Sequence, residues 1–220
     1  FAPLLCAATL QKTYTVEFGV FGKIGEATFT KESNSTHYHF TIHARPYGFA
    51  KRISQNHQEI LESQGRILNK IYYPSRYTKT VLKADKRQIT SYTFNHKKET
   101  IYKNNQTLHP FYVPNDLLSL YFNIHHPSYQ NREHYFAIGG DKKEGKVLVI
   151  KADSQKKERL KSYFSHTMNN VLLVTLFQKF FVTQLGELTL NLDSNYLPKE
   201  IFLKDAIIFG DIYASQDIKN

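Results

Sequence analysis

Apolar and polar residues alternate with a period of two along most of the chain from residue 13 onward. In the first such segment Tyr14, Val16 and Phe18 fall on one side, and threonine or glutamate falls on the other. Successive side chains of a strand point to opposite faces of a sheet, so this alternation predicts strands with one buried face. Further strands are predicted at residues 27–29, 37–44, 77–83, 89–94, 100–103, 134–138, 147–151, 171–181, 185–192, 201–203 and 207–213.

Glycine and proline positions indicate where the predicted strands end. Pro46-Tyr47-Gly48 is expected to break a strand, because proline lacks the N–H that a ladder needs and glycine favours turns. Residues 53–63 and 66–73 predict a hairpin that turns near Gln64 and Gly65. Since there is no internal repeat or linker-like stretch, the pattern predicts one antiparallel domain of about ten to twelve strands.

The period changes near residue 115. Leu117, Leu120, Tyr121 and Ile124 are spaced i, i+3, i+4 and i+7, which predicts one short helix near residues 115–125 with these side chains on its buried face. Asn115 or Asp116 precedes it as a cap, and His125-His126-Pro127 ends it. Residues 153–164 fit either a short charged helix capped by Asp153 or Ser154, or a lysine-rich edge strand.

The composition supports a folded, mainly all-β chain. Hydrophobic residues make up 41% and aromatic residues 14% of the 220 positions, which excludes general disorder. The aromatic residues are Tyr and Phe without Trp, and these side chains favour strands. Cys6 is the single cysteine, so an internal disulfide cannot form.

The first residues of the sequence point to export. Residues 1–9 are an apolar run that ends in small residues, with Cys6 and Ala8 at the small-residue positions of a signal-peptide cleavage site. We therefore interpret residues 1–12 as a signal-peptide remnant or N-terminal extension, residues 13–214 as a single β-rich domain and residues 215–220 as a tail. A short apolar strand is the alternative for the first segment. The expected location is periplasmic or secreted.

The formal net charge of +10 is concentrated in two segments. Residues 76–103 contain eight basic and two acidic residues, and residues 141–161 contain eight and four. A basic face of this kind suits an anionic membrane surface, an acidic glycan or an acidic partner, whereas export argues against nucleic acid as the partner. Solvated turns and strand edges are the alternative. The candidates for an anionic-surface site are Lys79, Lys83, Lys86, Arg87, Lys142, Lys143, Lys156 and Lys157.

Several short segments occur in the order seen in a known family. They are residues 14–18, the Gly-x-x-Gly-x-Ala turn at 22–27, and residues 46–50, 62–67, 74–77, 115–122, 190–193 and 196–201. In this order the chain resembles the bacterial exported proteins grouped as domain of unknown function 3108. The resemblance implies a periplasmic antiparallel meander, curved into a lipocalin-like barrel or half-barrel. It implies no activity and no catalytic residues.

The candidate chemistry is sparse. His37, His39 and His43 share one strand face, but a zinc site needs three or four ligands and solvent-facing histidines are the expected outcome. Residues 140–147 look superficially like a phosphate-binding loop. Val147 stands where that loop needs Ser or Thr, so a charged hairpin turn is expected instead. No catalytic residue, metal site or cofactor is predicted, and we expect the protein not to be an enzyme.

Aromatic side chains on alternate strand positions are the remaining candidates. In a barrel such side chains either fill the core or line a cavity for an apolar ligand. The cavity-lining candidates are Phe18, Phe29, Phe40, Tyr77, Phe94, Leu117 and Tyr121. The leading hypothesis is thus a periplasmic binding protein for a hydrophobic or amphiphilic small molecule. If this ligand carries anionic groups, they would face the basic segments. The alternatives are an envelope scaffold that docks protein partners or an anionic membrane surface through its basic face and, remotely, a cell-wall glycan enzyme.

Overall fold

A computed structural model of the chain describes residues 8–130, 132–139, 145–177, 186–207 and 210–217. Its strands are β1 (Ala8–Phe18), β2 (Lys23–Ser33), β3 (His37–Pro46), β4 (Gln58–Leu68), β5 (Ile71–Lys83), β6 (Lys86–Asn95), β7 (Thr100–Lys103), β8 (Thr107–Leu108), β9 (Asn115–Asp116), β10 (His134–Ile138), β11 (Lys146–Lys151), β12 (Asn170–Leu176), β13 (Gly186–Leu192), β14 (Pro198–Ile207) and β15 (Gly210–Gln216). The α-helices are α1 (Gly48–Ile53), α2 (Leu117–Asn123) and α3 (Ser154–Leu160), and single 3₁₀ turns occupy Gly19–Phe21, Pro127–Tyr129 and Lys161–Tyr163.

The chain divides into two compact units. The first comprises Phe1–Thr13, Gly25–Gln130 and Ala137–Gly139, and the second comprises Tyr14–Ile24, Asn131–Phe136 and Gly140–Asn220. Both are built mainly from antiparallel ladders of strands that follow one another in the chain. The exceptions are a short parallel pair of β9 with β10 in the first unit and the antiparallel pair of β1 with β15 in the second. The predicted mainly-β antiparallel meander is confirmed, and β1 begins at Ala8, before the predicted first strand. None of the helices in the described part of the chain is long and apolar enough to cross a bilayer.

The first unit is a meander in which β2 to β8 pair in chain order. Its register aligns Phe40 of β3 with Ser63 of β4, Ser63 with Tyr77 of β5, and Tyr77 with Tyr92 of β6. Because paired residues share a face, these four side chains form one row on the inner face, and each is buried. β8 ends this ladder and does not pair with β2, so the unit's own sheet is open.

The second unit contains the order β1, β15, β14, β13, β12, β11, β10, all antiparallel. Its core consists of inward side chains from these strands, including Val147, Val171, Leu192 and Phe202. The residues that we interpreted as a strand at 147–151 form β11, which supports a strand rather than a phosphate loop after Lys146. The loop residues 140–144, the end of the predicted strand 171–181 and the first seven residues lie outside the described part of the chain.

The predicted turn near Gln64 and Gly65 is wrong. β4 continues through Gly65 to Leu68, and the chain turns at Asn69 and Lys70, whose φ angles are 50° and 64°. Two left-handed residues in a two-residue loop make a type I′ hairpin. Gly65 lies instead at a shift of register between β4 and β5, where a Cβ would collide with the carbonyl oxygen of Tyr73. Glycine marks a close backbone approach here.

The helix near residues 115–125 is confirmed as α2, but of the four residues on the predicted face only Leu120 is buried. The buried side chains are Leu118, Ser119, Leu120 and Asn123, whereas Leu117 and Tyr121 are only half-buried. Polar anchors set this rotation. Asp116 makes a capping box with Ser119, and the Asn123 side chain both accepts from and donates to the Tyr72 backbone, at 2.8 Å and 2.9 Å.

Two further helices flank the predicted one. Asp153 caps α3 by accepting a 2.7 Å hydrogen bond from the Lys156 backbone N–H, so the helical alternative for residues 153–164 is correct. The prediction of a strand from residue 53 is wrong, since residues 48–53 form α1 and β4 begins at Gln58. A six-residue helix is too short to produce the repeated period by which α2 was recognised.

Candidate ligand groove beside the first helix

The aromatic residues expected to line a cavity mostly fill the core of the first unit. Phe40 and Tyr77 are 0% exposed and Phe94 is 7% exposed. Centroids of neighbouring rings in the cluster lie 4.4–6.3 Å apart, which is the spacing of packed aromatic pairs. The cluster is made by Phe29, Tyr38, Phe40, Tyr72 and Phe122.

The other predicted lining residues are not members of that cluster. Phe122, rather than Tyr121, is the ring that α2 packs against the sheet aromatics, and Tyr121 contacts Phe122 and His125 edge-on. Phe94 stacks near His96 at 6.0 Å. Phe18 belongs to the second unit and stacks on Phe21 at 5.7 Å. The seven residues therefore do not line one common cavity.

An open groove lies on the surface of the first unit, beside α1. It has a volume of about 820 Å³ and is lined by Gly48, Phe49, Lys51, Arg52, Gln55, Asn56 and Ala84. Six of these residues come from α1 and the loop after it, and Ala84 comes from the turn between β5 and β6. We call this site the α1 groove.

Local backbone geometry builds the α1 groove. Pro46 ends β3, and Gly48 enters α1 with a φ of +48°, a region that glycine adopts at little cost. After α1, Gln55 and Asn56 both have a φ of 56° and turn the chain back toward β4. The Ala84 backbone N–H donates to the Gln55 carbonyl at 2.8 Å, which fastens the β5–β6 turn against this loop.

The helix presents apolar side chains to solvent. Phe49 is 66% exposed and Ile53 is 65% exposed, and no residue of α1 is buried. Residues four apart lie on the same side of a helix, so these two side chains form one exposed apolar stripe. A helix whose large apolar side chains face water is a typical place for an interaction site.

Cationic side chains surround this stripe. Lys51 and Arg52 line the α1 groove, and the adjoining β5–β6 hairpin carries Lys83, Lys86 and Arg87, all exposed. Lys83 and Lys86 are paired across the hairpin, on either side of Ala84 and the single acidic residue, Asp85. The groove and its hairpin therefore combine two apolar side chains with five cations and one carboxylate.

The predicted anionic-surface residues are consequently divided. Lys83, Lys86 and Arg87 lie on the hairpin beside the α1 groove, whereas Lys79 makes a 3.2 Å ion pair with Glu59. In the second unit Lys156 lies 4.0 Å from Asp153, and the Lys157 ammonium donates to the Asn169 carbonyl at 2.7 Å. Lys142 and Lys143 lie outside the described residues.

The α1 residues were missed in the sequence. Phe49 and Ile53 have helical spacing and enclose Lys51 and Arg52, but a single i, i+4 pair is a weak signal beside strong strand alternation. The glycine after Pro46 was interpreted only as a strand breaker. The hairpin cations were found because they stand in the most basic segment of the chain.

A buried polar cluster joins α2 to the sheet of the first unit. Ser63 donates a 2.6 Å hydrogen bond to the Asp116 carboxylate, and the Tyr38 hydroxyl donates to Ser63 at 3.1 Å. Burial raises the pKa of Asp116 to about 6, although hydrogen bonds from Ser63, Ser119 and the Leu118 backbone act in the opposite direction. Because every member is buried, this cluster is structural.

A second cluster surrounds Glu200 in the other unit. The buried Glu200 carboxylate accepts hydrogen bonds from the Tyr213 hydroxyl at 2.6 Å, from the Asn191 amide at 2.8 Å and from the Ser165 backbone at 2.8 Å. The His166 ring nitrogen Nδ1 lies 3.0 Å away. Burial alone raises the pKa of Glu200, but these donors outweigh it and hold the pKa at about 2.

The three histidines on the β3 strand, for which no metal site is predicted, have other partners. His39 lies 3.5 Å from Glu32 and 3.7 Å from Glu62, and His43 hydrogen-bonds Gln58 at 2.9 Å. His37 contacts the hydroxyl of Thr36 at 2.9 Å. Among the residues that the structure describes, no group of three or more His, Cys, Asp or Glu side chains is placed to hold a metal ion.

Comparison with known proteins identifies neither a family nor a function for the chain. No family model matches the chain, and no curated protein matches it. A solved structure to which it is similar is a β-barrel-like protein of domain of unknown function DUF1849 from Brucella abortus, with 9% identity, 98% of this chain and 99% of that chain covered, and a TM-score of 0.45. This likeness is to a bacterial β-barrel-like domain of unknown function, and it does not extend to the particular family that the short segments resemble.

Proposed function

We propose that this protein is a non-enzymatic binding protein for an anionic amphiphile, which it contacts through the α1 groove. The observation that carries this proposal is the composition of the site. Phe49 and Ile53 are exposed on the helix that also carries Lys51 and Arg52, and the hairpin that bears the other cations adjoins the groove at Ala84. An amphiphile has an apolar part for the first pair and an anionic part for the second group.

The chemistry of the lining favours binding rather than catalysis. The seven lining residues supply apolar groups, amides and cations, and none of the seven has a carboxylate, hydroxyl, thiol or imidazole. Lysine is a compact point charge and arginine a planar fork, and both suit phosphate or sulfate oxygens. The proposed ligand binds at the surface of the first unit and not inside the sheet, because Phe40 and Tyr77 fill the interior.

Two sources could supply this chemistry. The ligand is either a free amphiphile that enters the α1 groove or the headgroup layer of an anionic membrane. An anionic surface attracts each nearby Lys or Arg with about 1 kcal/mol. Burying an exposed Phe or Ile side chain contributes roughly 1.5–3 kcal/mol at most. Both terms are large enough to measure by substitution.

Export remains part of the proposal. The apolar N-terminal run that ends in small residues supports a periplasmic or secreted location. Detection of the native protein in an osmotic-shock fraction tests this location independently of binding.

The binding experiment measures co-sedimentation of the full chain with vesicles. One arm uses equal parts of phosphatidylglycerol and phosphatidylcholine, a second uses phosphatidylcholine alone, and a third uses short-chain phosphatidylglycerol below its micellar concentration. We expect binding to the first vesicle and not to the second. Binding in the third arm, followed by titration calorimetry, identifies a free amphiphile as the ligand.

The test variant replaces Lys51 and Arg52 by alanine. Loss of two cations near the surface is expected to weaken binding by roughly 2 kcal/mol, or about thirtyfold. The matched control replaces Lys97 and Lys98, two exposed lysines on the β6–β7 turn of the same unit, and changes the net charge equally. Equal losses in both variants, or no binding of the unaltered protein in any arm, would contradict the proposal.

A further inference from the structure

The first half of β6 is an open strand edge. β6 pairs with β5 from Thr93 down to Lys86, but its pairing with β7 covers only Tyr92 to Asn95. Within the described residues no strand lies beside the remaining stretch, and Arg87, Gln88 and Ile89 are all exposed. We call residues 86–91 the β6 edge.

The hydrogen bonds of Ser91 show which backbone groups of the β6 edge point outward. The Ser91 N–H donates to the Asn104 side chain at 2.9 Å, and the Ser91 carbonyl accepts from the Asn104 N–H at 2.8 Å. Both groups therefore face away from β5. In an antiparallel strand the direction alternates with each residue, so the N–H and C=O groups of Ile89 and Arg87 also face outward.

We infer that the β6 edge binds an extended acidic peptide segment of another protein, which adds a strand to the sheet beside Arg87 and Ile89. Strand addition uses the outward N–H and C=O groups of an unpaired edge. Here two residues offer four such groups in the spacing of one ladder. This interaction goes beyond the proposed amphiphile binding: it shares the hairpin cations Lys83, Lys86 and Arg87 with the α1 groove, but it uses the backbone of the β6 edge.

Charge identifies the kind of partner. Lys83, Lys86 and Arg87 stand at the hairpin end of this edge, with Asp85 as the single acidic residue among them. Carboxylates of an incoming strand would be attracted there. A second copy of this chain would bring no carboxylate to this edge other than Asp85, so it matches these cations less well than an acidic segment does.

The register also gives the pattern of the partner segment. Arg87 and Ile89 are two residues apart, so their side chains share one face of the sheet, and Ile89 is 48% exposed. The residues opposite them on an added strand are likewise two apart. The fitting segment thus has an acidic residue and an apolar residue at alternate positions on the same face.

The probe is a fluorescein-labelled six-residue peptide with glutamate, valine and glutamate at alternate positions and threonine between them. Fluorescence anisotropy with the full chain is expected to show saturable binding, and the same peptide with lysine in place of glutamate is expected to bind at least about tenfold more weakly. Amide hydrogen exchange is expected to slow at Arg87 and Ile89 when the acidic peptide is added.

The decisive substitutions separate backbone from side chain. Ile89→Pro removes an outward N–H without breaking a bond to β5, and proline is tolerated on edge strands, whereas Ile89→Thr keeps that N–H. We expect about tenfold weaker peptide binding for Ile89→Pro and less than about threefold for Ile89→Thr, because only the first loses a ladder hydrogen bond. Arg87→Glu is expected to abolish the preference for the acidic peptide.

Several results would overturn the inference. These are unchanged binding by Ile89→Pro, no protection of the Arg87 and Ile89 amides, or equal binding of the acidic and basic peptides. Concentration-dependent dimerisation through the same amides would assign the edge to a second copy instead. Circular dichroism of each variant checks the fold, and the vesicle assay with Ile89→Pro distinguishes this edge from the α1 groove, since binding there is expected to be unchanged.

Discussion

Ser63 on β4 donates a 2.6 Å hydrogen bond to the carboxylate of Asp116, the residue that caps α2. The same carboxylate accepts from the backbone N–H groups of Leu118 and Ser119 at 2.8 Å and 2.9 Å. One buried group therefore begins the helix and fixes its position on the sheet. This relationship explains why α2 buries Leu118 and Ser119 beside Leu120, whereas Leu117 and Tyr121 of the predicted face are only half-buried.

The buried carboxyl of Asp116 makes stability depend on pH. Its pKa is about 6 in the folded protein against 3.8 in its ordinary state, so the folded chain holds an extra proton between these values. The contribution of Asp116 to the free energy of unfolding is fully present below pH 3.8 and is lost as the pH rises through about 6. It amounts to roughly 2–3 kcal/mol.

Burial of His125 acts in the opposite direction and masks this effect. It lowers the pKa of His125 from 6.5 to about 4. The contribution of His125 to the free energy of unfolding is therefore present above pH 6.5 and is lost as the pH falls through about 4. We predict that Asp116→Asn becomes less stable on acidification from pH 7 to 4.5, and that His125→Gln becomes more stable. Urea midpoints at three pH values check both signs; parallel pH profiles for the two variants would contradict the assignment.

Glu200 is predicted to be a major stabilising residue of the second unit. In Glu200→Gln the amide nitrogen cannot accept the bonds that the carboxylate receives from Tyr213, Asn191 and the Ser165 backbone. Breaking a buried charged network of this kind costs about 3–5 kcal/mol. Glu187→Gln, on the exposed side of β13, is the matched control and is expected to change the free energy of unfolding by less than about 0.5 kcal/mol.

The same carboxylate gives the second unit its own pH dependence. The pKa of Glu200 is lowered from 4.5 to about 2, so its contribution is present above pH 4.5 and is lost as the pH falls through about 2. Acid unfolding can be followed by near-ultraviolet circular dichroism of the tyrosines, since the chain has no tryptophan. In Glu200→Gln the free energy of unfolding is expected to depend less steeply on pH between 4.5 and about 2. If Glu200→Gln keeps the pH dependence of the unaltered protein, another titrating group causes that dependence.

Gly65 is predicted to tolerate no side chain. In Gly65→Ala the new Cβ would meet the carbonyl oxygen of Tyr73, and the Cα of Pro74 would lie 2.8 Å from it. Since both obstacles are backbone atoms, the β4–β5 pairing must shift, and we expect a loss of at least about 2 kcal/mol. Gly48→Ala has open space around its Cβ and only a positive φ of +48°, so about 1 kcal/mol is expected. Equal losses in thermal or urea unfolding would contradict the steric explanation.

The apolar stripe of α1 is predicted to contribute binding that salt does not screen. Phe49→Ser and Ile53→Ser together should weaken attachment to anionic vesicles both at low salt and at high salt, because apolar burial does not depend on ionic strength. The Lys51 and Arg52 variant should differ from the unaltered protein mainly at low salt. If the serine variant loses binding only at low salt, the stripe does not insert into the lipid layer.

Much of the first unit could be anticipated from short-range pattern. Alternation located β3 and β6 because each has one face against protein, and a helical period located α2. Gly65 was misread because a glycine in a strand can mark a turn or a close backbone approach, and only the position of Tyr73 decides between them. The residues of a strand do not by themselves determine which strand it pairs with.

The candidate site shows the same division. The excess of lysine and arginine at residues 83–87 was visible in the chain, but its combination with Phe49 and Ile53 arises because Ala84 bonds to Gln55 across the fold. The expected cavity failed for a similar reason. Alternation places Phe40 and Tyr77 on an inner face, and whether that face is hollow depends on what packs onto it, here α2 with Phe122.

By itself, the sequence determined the mainly β class, the antiparallel meander, the position of α2 and the location of the excess positive charge. Those properties follow from local periodicity and composition, since strand and helix periods are imposed by the backbone. The tertiary structure alone decided the open β6 edge, the burial of Asp116 and Glu200, and the meeting of α1 with the β5–β6 hairpin. Each of these depends on residues far apart in the chain, whose contacts are set by packing and register rather than by neighbouring sequence.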